Sequence, residues 1–86
     1  MIRVGLRFHP KDAGTLRMLA ERVRLHDLGS QTLAVFENAA DAARTGEPLI
    51  VLCEHPTEAQ VMADGYVRYG VRRPSVEELT GQRPAK

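Results

Sequence analysis

Two His-Pro pairs carry the residue types that could do chemistry. His9-Pro10 follows a β-prone run over residues 3–8, and His55-Pro56 follows Leu49-Ile50-Val51-Leu52-Cys53, the longest unbroken apolar run. If both strands point the same way, their carboxyl ends gather His9, Lys11, Cys53, Glu54 and His55. Imidazole, thiol and carboxylate groups are ligands for transition metals. Helix starts at Pro10 and Pro56, with Lys11 beside one of them, also suit a phosphate or carboxylate. His9, Lys11, Cys53 and His55 are therefore the candidate ligand-binding residues. Weighing against them, no HxxH, CxxC or HExxH spacing occurs. Histidine before proline at a helix start also serves as capping punctuation, and a free cysteine at a strand end commonly packs. No metal and no cofactor is predicted.

A thiol-dependent enzyme would use Cys53, placed just before a helix start that lowers a thiol pKa. His9 or His55 would serve as its base. Glu54, the next residue, opposes the thiolate, and no arginine follows at the spacing of a CX5R phosphate loop. No catalytic residue is assigned, and the chain reads more as a binding protein than as an enzyme.

A second group, Tyr66, Arg68, Tyr69, Arg72 and Arg73, mixes aromatic and basic side chains as single-strand RNA platforms do. After Gly65-Tyr66 the RNP1 aromatic positions fall on Arg68 and Val71, so the pattern fails. These five residues are instead predicted to meet a protein partner or a second copy of the chain. Nucleic acid is the less favoured alternative. Residues 66–86 carry net charge +3 and residues 1–65 net −2, within a total of +1 over 86 residues. That balance exerts no global pull toward nucleic acid or membrane.

The elements that must position these groups follow from periodicity. Ile2, Val4, Leu6 and Phe8 alternate with Arg3, Gly5 and Arg7, the pattern of a half-buried strand. Pro10 opens a helix running to about Asp27, with Leu16, Leu19, Ala20 and Val23 on one face and Gly29 as its left-handed cap. Residues 32–36 are predicted as a strand, and Asn38 as the cap of a short alanine-rich helix ended by Gly46. Leu49 to Cys53 reads as a strand covered on both faces. From Pro56 a helix continues to Gly65, followed by an edge strand over residues 66–72. The rival reading there is one helix from Pro56 to Tyr69. Ser75-Val76-Glu77-Glu78 reads as a capping box.

The two His-Pro units repeat at an offset of 46 residues: Leu6, His9, Pro10, Ala13 and Arg22 recur as Leu52, His55, Pro56, Ala59 and Arg68. Shared capping chemistry and an old duplication both account for this.

The sum is a small α/β domain over residues 1–81, with 82–86 as a disordered tail. Its sheet is predicted as three-stranded and mainly parallel, order 2-1-3, with a fourth strand at one edge. The alternative is a ferredoxin-like α+β arrangement (βαββαβ). If the two strands before the His-Pro pairs run antiparallel, the histidines lie at opposite edges and share no site. With 43% hydrophobic and 27% charged residues the composition is that of a globular protein. The single cysteine excludes an intramolecular disulfide. Charges in the first seven residues interrupt any signal-peptide core, and no apolar run reaches membrane-spanning length. The predicted location is cytoplasmic. So small a core favours a homodimer.

Overall fold

Residues 1–79 are described in the computed structural model. β1 (Ile2–Arg7) runs through the middle of a three-stranded sheet, with β2 (Leu49–Cys53) on one side and β3 (Ser75–Glu78) on the other. Both flanking strands are antiparallel to β1. The chain leaves β1 through one turn of 3-10 helix (Pro10–Asp12) into α1 (Ala13–Leu25). It then turns back through α2 (Ser30–Thr45) before entering β2. α3 (Pro56–Val67) carries it from β2 across to β3, so β2 and β3 lie parallel with β1 between them, a split βαβ unit. The domain is thus α+β with an antiparallel sheet. The expected mainly parallel sheet is corrected by the pairing itself.

Alternation along β1 sends Val4, Leu6 and Phe8 into the core, each at most 3% exposed. The register continues this face with Val51 and Leu49 from β2 and Val76 from β3. Leu16, Ala20 and Val23 of α1 pack against α2, whose Phe36, Ala39, Ala40, Ala42 and Ala43 are buried. With alanine at four of these positions, α2 approaches its neighbours closely. Ion pairs Arg17–Asp41 (3.3 Å) and Arg24–Glu37 tie the two helices together at their exposed margins. Such surface pairs contribute little individually.

Several sequence readings change. Residues 32–36 lie inside α2, because Leu33, Phe36, Ala40 and Ala43 continue one helical stripe; Asn38 is mid-helix, not a cap. Residues 66–72 are the end of α3 and its closing turn, so the rival single-helix reading describes them. Gly65 is interior to that helix. The left-handed residue is Gly70 (φ 87°), with Val71 N–H donating to Tyr66 O and Gly70 N–H to Val67 O. Ser75–Glu78, a capping box by local pattern, is β3. At the end of α1 the same type of motif uses Asp27 (φ 51°), with Leu28 N–H donating to Val23 O. Gly29 (φ 109°) instead leads into α2.

Gly46 ends α2 in the left-handed conformation, as predicted. Gly5 serves a different purpose: a Cβ there would lie 3.0 Å from Cβ of Pro48, so a larger residue would press the strand against it. Among the described residues no helix is long and apolar enough to cross a membrane. The predicted tail, 82–86, lies outside the described residues.

Candidate functional site

Antiparallel pairing separates the two histidines. Cys53 sits opposite Ile2, so His55 lies beside the start of β1, while His9 follows its end. At about 3.4 Å per residue, roughly 20 Å of strand stands between them. The shared sheet-edge site therefore does not form. His9 caps the 3-10 turn, its Nδ1 accepting from the Lys11 N–H (3.1 Å). His55 caps α3 with extended backbone, and Glu58 Oε1 accepts from the Glu54 N–H (3.0 Å). Both His-Pro pairs do start helices. Lys11 is exposed. Among the described residues no three His, Cys, Asp or Glu side chains gather in a way that could hold a metal ion.

Cys53 points into the core at 1% exposure. Burial, with a smaller contribution from the negative charge of Glu58, pushes its thiol pKa up. This is the opposite of an activated nucleophile. A thiol reagent such as dithionitrobenzoate should react with the native protein orders of magnitude more slowly than with protein in denaturant. Equal rates would place the sulfur at the surface.

The five partner candidates are spread over two environments. Tyr66 is 8% exposed and meets Phe8 (centroids 4.9 Å) and Phe36 (6.1 Å) edge-to-face. Tyr69 is exposed and meets Phe36 at 5.4 Å. Arg68 is exposed on the turn. Arg73 is engaged by Asp64 (2.8 Å) and Gln60 of α3. Arg72 reaches across the fold to Asp12, the buried charged residue at the start of α1. Its Nη1 donates to Oδ1 (2.7 Å) and its backbone N–H to Oδ2 (3.1 Å). Two of the three arginines thus hold the closing turn against the rest of the chain.

What periodicity did not bring forward is the surface around β2. Its helix-side residues Leu49 and Val51 are half-buried, while Ile50 (43%) and Leu52 (62%) stand exposed on the opposite face beside Gly5 and Arg3. No strand pairs with its outer edge among the described residues. On the helix side, a pocket of about 360 Å³ opens between α2, β2 and α3. Val35, Asn38, Val51, Met62, Gly65 and Tyr66 contribute to its walls. Val35, Met62 and Tyr69 are exposed there, at 47%, 43% and 56%. Gly65 has nothing within 4 Å of where a Cβ would stand. Glycine inside a helix costs about 1 kcal/mol relative to alanine, and here no steric conflict requires it.

Fold and surface together define a small α+β domain with one apolar sheet edge and an apolar pocket beside it. No family model matches the chain, nor does any curated protein or solved structure.

Proposed function

We propose that the protein is a small non-enzymatic binding module that acts through protein–protein contacts as a homodimer, with β2 as the contact. One observation carries this reading. β2 is apolar at all five positions, yet the described residues cover only one of its faces and pair only one of its edges. Long apolar edge strands invite pairing with another chain, and proteins that remain monomeric blunt them with charge or proline. Between Leu49 and Cys53 there is neither.

Antiparallel pairing of β2 with its copy about a two-fold axis satisfies both openings. It extends the sheet to six strands and sets Ile50 and Leu52 against the same residues of the partner. Arg68 and Tyr69, from the exposed turn after α3, are then available for a further protein partner. The separation of His9 from His55 by the antiparallel pairing, and the burial and raised pKa of Cys53, favour binding over thiol catalysis.

Size exclusion with light scattering on the full chain tests this. The wild type should elute with the mass of two chains. Leu52→Lys puts a charge at an already exposed position, so the fold tolerates it, and the copy-to-copy contact suffers twice. The variant should be monomeric, with dimer affinity lowered roughly a hundredfold or more. A wild-type monomer at high micromolar concentration would remove the reading.

A further inference from the structure

We infer that the pocket between α2, β2 and α3 is a binding site for a neutral, apolar, ring-bearing small molecule. The inference deepens the binding reading but does not require the dimer. About 360 Å³ is at the lower end of the range typical of small-molecule sites. Chemistry narrows the class further. Among the described residues no Asp, Glu, Lys, Arg or His contributes to the walls, which offer the Asn38 amide and the Tyr66 and Tyr69 phenols as polar side chains. An anion or cation entering there would lose its hydration with no counter-charge to replace it. A nucleotide, sugar phosphate or free carboxylate is therefore disfavoured. A ring system with at most one or two hydrogen-bonding groups is matched.

Two features set this space apart from an incidental gap. Phe8, Tyr66, Phe36 and Tyr69 form a continuous edge-to-face chain, and its Tyr66, Phe36 and Tyr69 members also line the pocket. A ring inserted beside them would extend that packing. Second, the glycine at position 65 sits in mid-helix, lines the same pocket and has nothing within 4 Å of where a Cβ would stand. Alanine or leucine there would give a better helix and a smaller site. At position 65 the glycine gives up helix stability at a residue that lines the pocket.

The test uses N-phenylnaphthylamine, an uncharged fluorescent probe, titrated into the full chain. Saturable binding with one site per chain is expected, and its sulfonated, anionic analogue should bind at least about tenfold more weakly. Gly65→Leu should weaken the neutral probe at least about tenfold. Gly65→Ala should weaken it less while raising Tm by a few degrees, which keeps the test valid if the leucine variant folds poorly. Leu52→Lys, on the other face of the sheet, should bind as the wild type does. Failure to saturate, or unchanged affinity in both Gly65 variants, overturns the site. So does loss of binding in Leu52→Lys, which would place the probe at a contact between copies. If Gly65→Leu alters the oligomeric state and leaves probe affinity unchanged, the pocket belongs to a protein contact and the inference also falls. A monomeric wild type that still binds the probe would sink the homodimer and leave this site standing.

Discussion

Replacing Arg72 with alanine should destabilise the domain by about 2–3 kcal/mol, and removing Asp12 at the same time should restore part of that loss. Asp12 has only 7% of its side chain exposed, and Arg72 supplies both donors to its carboxylate. Without the guanidinium, a buried negative charge is left with one backbone N–H, and an uncompensated charge costs more than a hydrogen bond contributes. In Asp12→Ala the reverse holds. Arg72 is 56% exposed and turns into water, leaving mainly its own N–H short of an acceptor. That loss should be about 1–2 kcal/mol. The double variant should therefore be more stable than Arg72→Ala alone. For a domain of this size 2 kcal/mol lowers Tm by about 8–16 °C, readily seen in a far-ultraviolet melt. Equal effects of both single changes, adding in the double, would show that the pair does not interact.

The second large effect is alkaline. Burial pushes the Tyr66 phenol up from 10.0 to about 12. The neutral form fits the core and the phenolate does not, so the unfolded chain loses its proton first. The Tyr66 contribution is intact below about pH 10 and is lost as pH rises toward 12, by about 2–3 kcal/mol. Cys53, whose pKa is also raised by burial, adds loss of the same sign. Urea unfolding at pH 7, 10 and 11.5 reads the slope. Tyr66→Phe should match the wild type at pH 7 and lose most of the alkaline decline. An unchanged decline in the phenylalanine variant would move the titrating group elsewhere.

Local signals suffice where one short stretch decides its own structure. The alternation of β1, the α1 stripe from Leu16 to Val23, the helix starts at Pro10 and Pro56, and the stop at Gly46 all need only near neighbours. Residues 32–36 misled because Thr32, Val35 and Phe36 are β-prone individually. Only the spacing on to Ala40 and Ala43 shows a helix, and β-propensity yields to packing context. Ser75–Glu78 misled in the opposite direction. A capping box is local, whereas pairing with β1 some 70 residues away is not. Gly65 looks locally like a stop, but interior glycine is tolerated when a better left-handed position, Gly70, follows.

The candidate site was legible in its parts and illegible in its arrangement. His9, Cys53 and His55 were each visible, but their meeting depended on strand direction, which no single stretch encodes. The pocket left one trace, a glycine within an otherwise helical pattern. β2 left another: its apolar character predicted cover on both faces. Among the described residues that cover is half missing, and the open half is where the proposed contact lies.

Amide hydrogen exchange along β2, followed as protein concentration is lowered, tests this most directly. In an antiparallel strand alternate amides face each neighbour, so those pointing away from β1 exchange fast unless a second strand accepts from them. At concentrations where the dimer forms, they should be protected as strongly as the amides bonded to β1, and dilution should release them alone. Fast exchange of the outward amides at every concentration, with those facing β1 protected, would contradict pairing through β2.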